Sequence, residues 1–244
     1  MITVILNGFR RPQNLTLQME ALKKQTVKPT EVLVWYNHPG NEPVNREIIE
    51  KYNTCYSRKN FGVWSRFFLG FNASNPYICV FDDDTIPGSK WLENCMNTMK
   101  EREGLLGTNG MRWIDTNKSY YDSKFIRIGW HNPNNKIEPV DIVGHSWFFK
   151  REWLSYFTRE LHDPVEHKLH GEDMHFSFML QKYANIPTLV PPHPKNDKEM
   201  WGSIKGIELG CTPQAVARTP NINEKFNNYF TKQRRAGWKL VEEH

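Results

Sequence analysis

The chain has 244 residues, a formal net charge of +5 and a sequence pI near 8.9, a mildly basic balance that suits acidic or phosphate-rich ligands. A hydrophobic fraction of 39% and an aromatic fraction of 13% provide for a substantial core and exclude a disordered or fibrous chain. No apolar run reaches membrane-spanning length, and no stripe of Lys and Arg interleaved with aromatics precedes the short run at 232–235, so a soluble, cytoplasmic protein with no membrane span and no nucleic-acid partner is expected.

Residues 2–6 read as a short strand, and the loop after it carries Arg10 and Arg11, with Pro12 suited to the first position of a helix. Leu15, Met19 and Leu22 form the apolar stripe of that helix, which ends near Thr26. A strand over 31–36 completes a β-α-β unit and implies a parallel pair with a right-handed crossover. A short helix over 45–51, a strand over 52–56 and a helix over 63–71 bearing Trp64, Phe67, Phe68 and Phe71 lead to an apolar strand at 77–81. Pro87-Gly88 ends that segment, and Ser89 is the expected N-cap of a helix with Trp91, Leu92, Cys95, Met96 and Met99 on its inner face.

The regular alternation stops after residue 103. Strands are expected over 105–113, 120–130 and 140–143, with a further apolar segment at 148–157, a helix over 172–184 and a last strand at 188–190. From 195 onward periodicity fades. Gly202, Gly206 and Gly210 with Lys195, Lys198 and Lys205 suggest a flexible basic flap, followed by a terminal helix within 223–240. The four cysteines, at 55, 79, 95 and 211, have no CxxC spacing and read as free thiols in a reducing compartment, with one disulfide as the alternative.

Three consecutive carboxylates, Asp82, Asp83 and Asp84, stand where the 77–81 strand ends. Alternation along extended chain sends Asp82 and Asp84 to one side and Asp83 to the other. Acids this close repel unless a cation gathers them, and a hard divalent ion such as Mg²⁺ or Mn²⁺ suits carboxylate oxygens. Arg10, Arg11, Asn37, Asn60 and Arg66 fall at the same carboxyl edge of the expected sheet, where guanidinium and amide groups suit a base, a ribose and a diphosphate. Glu172 and Asp173 open a later helix, where capping explains one of them and a general base towards an acceptor hydroxyl is the functional alternative. His193, between prolines, is a candidate metal or phosphate contact.

In this order, Asn7-Gly-Phe-Arg10, Asn60 with Arg66, Phe81-Asp-Asp-Asp-Thr85, Val140-Asp-Ile-Val-Gly144 and Gly171-Glu-Asp173 resemble the GT-A glycosyltransferases. The spacing is most similar to the exostosin-like and family-2-like branches, including small soluble bacterial and viral members. The resemblance implies an α/β fold: one domain with a GT-A type, Rossmann-like mixed sheet flanked by helices, and a flexible C-terminal segment. Residues 1–103 would be a nucleotide-sugar-binding β/α half, 104–195 an acceptor-binding and catalytic half, and 196–244 a flap and C-terminal helix. The implied reaction is metal-dependent transfer of a hexosyl group from a UDP- or GDP-sugar to a hydroxyl of a glycan or glycoprotein, with Mn²⁺ or Mg²⁺.

Carried over by position, Asp84 would bind the metal and Asp82 the ribose or the metal, while Asp83 would touch the donor sugar. Arg10, Asn37, Asn60 and Arg66 would hold the nucleotide, Asp173 with Glu172 beside it would be catalytic, and His193 would be a late metal ligand. His145 and Trp147 are bulky where exostosin-like enzymes favour small residues, which makes them candidate acceptor contacts. A sugar-phosphate nucleotidyltransferase would want a Gly-rich loop after the first strand, and Asn-Gly-Phe-Arg-Arg is a poor one. A non-catalytic carbohydrate- or nucleotide-binding protein would have no use for both acidic groups. A zinc hydrolase built from His162, His167, His170 and His175 lacks a His-Glu-x-x-His motif.

Overall fold

The computed structural model describes residues 1–38, 46–52, 54–130, 132–161, 169–210 and 219–244. The first half alternates as its sequence predicts: β1 (Ile2–Gly8), α1 (Asn14–Lys23), β2 (Glu31–Tyr36), α2 (Arg46–Lys51), β3 (Thr54–Tyr56), α3 (Ser65–Leu69), β4 (Tyr77–Phe81) and α4 (Trp91–Glu101). Then follow β5 (Leu105–Leu106), β6 (Asn109–Trp113), β7 (Phe125–Gly129), β8 (Glu138–Val140), β9 (Ile142–Gly144) and β10 (Ser146–Lys150). The chain continues through α5 (Leu154–Phe157), α6 (Glu172–Ala184), β11 (Thr188–Val190), α7 (Gly206–Gly210) and α8 (Ile222–Arg235).

Eight strands form one mixed sheet in the order β3-β2-β1-β4-β10-β5-β11-β8. Strands β1 to β4 pair in parallel, and β10 joins β4 antiparallel. At the centre, Val4, Ile5 and Leu6 of β1 and Ile78, Cys79, Val80 and Phe81 of β4 are fully buried, so both faces of these strands are covered. That is why they read as continuous apolar runs rather than as alternating patterns. The second half of the chain adds β10, β5, β11 and β8 to this sheet and builds a second, three-stranded one from β7, β6 and β9.

The expected strand over 105–113 is two strands. Leu105–Leu106 stays in the main sheet, whereas Asn109–Trp113 leaves it for a three-stranded antiparallel sheet of order β7-β6-β9. Gly107 lies at the break, where an added Cβ would stand 2.4 Å from Val143 Cβ and 2.6 Å from the Ser146 carbonyl. The 140–143 segment divides in the same way around Asp141, with β8 in the large sheet and β9 in the small one. The Asp141 carboxylate accepts the backbone N–H of Trp113 at 2.8 Å and of Val241 at 2.6 Å, fastening the small sheet to the C-terminal tail.

Ser89 does not cap α4. The Gln25 side chain accepts the Leu92 N–H at 3.0 Å instead, while the Ser89 N–H goes to Glu199 at 2.8 Å. Part of the segment expected as a flap is pinned here: Trp201 and Glu199 carbonyls accept the N–H groups of Gly88 and Lys90, and Ile204 donates to the Ile86 carbonyl. The terminal helix ends before Gly237, which takes φ +102, and buries Phe230 beside Trp113, Tyr120 and Trp238 and Tyr229 beside Trp64 and His170. Among the described residues Cys55, Cys79 and Cys95 are free thiols, and Cys211 lies outside them. No helix among the described residues is long and apolar enough to cross a membrane.

Candidate active site

A cavity of about 470 Å³ opens at the carboxyl ends of β1 and β4, the edge where open α/β sheets take their ligands. β4 delivers the acidic triplet to it. β10 runs antiparallel to β4 with Ser146 opposite Phe81, which sets His145 beside Asp82, and the Asp82 N–H donates to the His145 carbonyl at 3.0 Å. His145 takes φ +65, a left-handed backbone uncommon outside glycine, and its Nδ1 lies 3.5 Å from Asp84 Oδ1. Asp82, Asp84 and His145 each offer one ligand atom, all within 4.8 Å of one another.

Two guanidinium groups brace these acids. Arg11 pairs with Asp83 at 2.8 Å and Asp84 at 3.2 Å and donates to the Leu209 carbonyl of α7 at 2.6 Å. Arg66 is buried, 4% exposed, and bridges Asp82 at 2.7 Å and Glu172 at 2.9 Å while stacking 4.6 Å from the Trp147 ring. Asn14 and Gln18 of α1 hold the backbone of the triplet by donating to the carbonyls of Asp83, Asp82 and Thr85.

Glu172 and Asp173 reach the cavity from the first turn of α6. Gly171 precedes them with φ +87, and a Cβ there would stand 2.8 Å from the Tyr229 ring, so this helix start needs glycine. Asp173 accepts the Met174 N–H at 2.7 Å, a contact favoured at a helix N-terminus.

The electrostatics are those of a crowded acidic pocket. Burial pushes Asp83 up to about 7 against the pull of Arg11, and burial with the Asp84 charge raises Asp82 despite Arg66. Burial also lifts Asp84, but His145 and Arg11 outweigh it and hold that carboxyl below the usual range. Burial and the adjacent Asp173 charge push Glu172 up to about 8, and burial pushes Asp173 up to about 6. Five carboxylates therefore face two guanidinium groups, which pair with four of them, and two carboxylates with one imidazole already converge. This donor set fits a divalent cation of the Mn²⁺ or Mg²⁺ kind.

Some expected residues stand elsewhere or act otherwise. His193 is not brought to the carboxylates: it is fully buried, its Nδ1 lies 2.8 Å from the Pro191 carbonyl and its Nε2 3.0 Å from Thr108 Oγ1. Both ring nitrogens are thus engaged in packing the 193–202 turn, and burial lowers its pKa to about 4. His145, expected at the acceptor, is the histidine that joins Asp82 and Asp84. Trp147 is buried beneath Arg66 and lines a side chamber rather than the main cavity. Arg66 turns its guanidinium to carboxylates, not outward.

Asn37 and Asn60 line the cavity, but their amides brace the loop first. Asn37 donates to Asn60 at 2.9 Å and accepts the Phe61 N–H at 2.9 Å, and Asn60 accepts the Gly62 N–H at 2.8 Å. Arg10 is exposed on the cavity wall, its guanidinium 5.2 Å from the Phe9 ring. His162 and His167 lie outside the described residues, and His175 Nε2 sits 2.8 Å from the Phe157 carbonyl. Arg11 and Asn109 also line the cavity; only a sheet register shows that Asn109 reaches it.

No known family profile matches the chain, and no curated protein does. Solved structures do. A crystal structure of S. aureus TarS is 17% identical with TM-score 0.49, over 78% of this chain and 36% of that one. A crystal structure of S. aureus TarS 1-349 is 16% identical with TM-score 0.53, over 78% of this chain and 58% of that one. The chain thus spans less than two thirds of either protein's length. With its eight-stranded mixed sheet between helices, the likeness to the shorter TarS structure shows a glycosyltransferase-like fold of the GT-A, Rossmann-like kind.

Proposed function

We propose that the protein is a metal-dependent glycosyltransferase that moves a hexosyl group from a UDP- or GDP-sugar to a hydroxyl of a glycan or glycoprotein acceptor. Its structural neighbours are glycosyltransferases. The observation that carries the reading is one cavity in which the Asp82–Asp84–His145 cluster and the Glu172–Asp173 pair face each other across Arg66. A binding module has no need of both acidic groups. The free thiols at Cys55, Cys79 and Cys95 suit a reducing compartment.

Asp84, Asp82 and His145 would hold the cation, which when bound supplies Lewis-acid neutralisation of a departing diphosphate. Arg10 adds positive charge on the same wall, and the Asn37–Asn60 loop shapes the end taken by base and ribose. Asp83, paired with Arg11, lines the main cavity in which the donor would lie. Arg66 keeps Asp82 and Glu172 in place, which leaves Asp173 as the base. Burial sets that carboxyl at about 6, so it is ionised at neutral pH and still basic enough to take the acceptor proton. In-line attack by that hydroxyl inverts the anomeric centre. Packing of α7 near Asp84, through Arg11 and Leu209, restricts water at the diphosphate end.

The test is nucleoside diphosphate release from a panel of UDP- and GDP-sugars, with and without simple glycan acceptors. One donor is expected to turn over with Mn²⁺, to stop in EDTA and to resume when Mn²⁺ is restored. Release from no donor under any of these conditions counts against the reading.

A further inference from the structure

Asn109 opens β6 with Gly129 directly across from it on one neighbouring strand and Gly144 on the other. Directly opposed side chains normally fill the space beside each other in an antiparallel sheet. With glycine on both sides, the Asn109 carboxamide has no opposed side chain to pack against. The residue is only 8% exposed, yet its Oδ1 has no hydrogen-bond partner among the described residues. Such a buried carbonyl is costly unless a ligand pairs with it.

The Gly129 side is closed, since a Cβ there would stand 2.3 Å from the Thr108 carbonyl, but the Gly144 side is open. A Cβ on Gly144 would meet nothing within 4 Å, because a chamber of about 190 Å³ opens there. Asn109, Asp82, His145, Glu172, Asp173 and Arg127 line both this chamber and the larger cavity, so together they form the wall where the two join. The chamber is on the scale of one sugar ring and too small for a nucleotide. A diphosphate held near Asp82 and His145 would send its sugar across that wall, with Asp173 beside the bond that breaks.

We infer that this chamber is the subsite of the transferred sugar and that Asn109 selects that sugar by pairing with one of its hydroxyls. The inference rests on the glycosyltransferase reading and deepens it by naming the residue that discriminates between donors. A hydroxyl both donates and accepts, so it pairs with the carboxamide in either amide orientation. A donor whose hydroxyl is inverted at that carbon leaves Oδ1 buried and unpaired, and is rejected for that reason.

The test uses the full chain with the donor that the wild type turns over and its epimers on the same nucleotide. Asn109→Ala is expected to reduce kcat/KM for the preferred donor at least tenfold and to shrink the preference over one epimer by a similar factor, with free nucleotide affinity unchanged. Gly144→Ala places a methyl in open space away from any backbone obstruction. It is expected to keep the wild-type melting temperature and to slow donor hydrolysis measured without acceptor. Wild-type donor kinetics and epimer preference in both variants overturn the inference, as does an effect confined to the acceptor KM. If the wild type turns over no nucleotide sugar, the glycosyltransferase reading itself fails and the inference falls with it.

Discussion

Replacing Asp173 with Asn is expected to lower kcat by about 10²–10⁴-fold, the usual contribution of a positioned general base. The substitution keeps the shape of the side chain and an oxygen for the Met174 N–H, so fold and nucleotide affinity should be retained. The pH profile separates a base from a bystander. Burial raises this carboxyl to about 6, so wild-type turnover should be complete above that value and fall as pH drops through it and the base takes up a proton. The Asn variant has no proton to take up there, and its residual rate should lack that limb. Unchanged kcat, or an identical acid limb in the variant, would remove Asp173 from the chemistry.

Arg66→Met should produce the largest loss of stability. In the wild type one buried guanidinium satisfies Asp82 and Glu172 together and stacks on Trp147. Removing one partner of a buried ion pair strands the other charge and costs about 3–5 kcal/mol. Here two carboxylates are stranded. Burial already raises both, and Arg66 is among the groups that pull them back down, so its loss raises them further. A folded-state pKa above the unfolded value favours the fold at low pH and penalises it as pH rises through the folded value. The deficit should therefore be least at pH 5 and grow as pH rises past the wild-type values, about 8 for Glu172, where the wild type ionises and the variant resists doing so. Urea unfolding of both proteins at an acidic pH and at an alkaline pH above the Glu172 value checks this; a deficit independent of pH would show that Arg66 acts through packing alone.

The central elements were legible because their physics is local. β2, β4, β11 and α6 have the limits read from their residues, since an apolar run closed by acids or by Pro, or an apolar helical face, needs no knowledge of the rest of the chain. The second half was harder. Nothing local distinguishes 105–113 from one long strand; the cut at Gly107 comes from the approach of Val143 and Ser146, which lie far along the chain.

The two histidines show the same limit in the site. His193 sits between prolines after a strand and looks like a late ligand, but folding buries it against Thr108. His145 reaches Asp82 and Asp84 only because β10 returns antiparallel to β4 in the register that opposes Ser146 and Phe81, and because its backbone adopts a left-handed conformation. Neither is visible in sequence order. Asn109 was missed for a similar reason, since its significance lies in the two glycines across from it. Of the two, Gly144 lines that chamber and is its trace in the sequence.

The most direct test of the central claim is a melting-temperature measurement with UDP and with GDP, each with and without Mn²⁺, on the wild type and Asp84→Ala. A ligand that binds only the native state at a hundredfold excess over its Kd stabilises by about 2.7 kcal/mol, a rise of about 5 °C or more for a chain of this size. One nucleotide is expected to give that rise only together with Mn²⁺ in the wild type, and none in Asp84→Ala. No rise with either nucleotide, or an equal rise without the cation and in Asp84→Ala, would contradict a metal–diphosphate site at the end of β4.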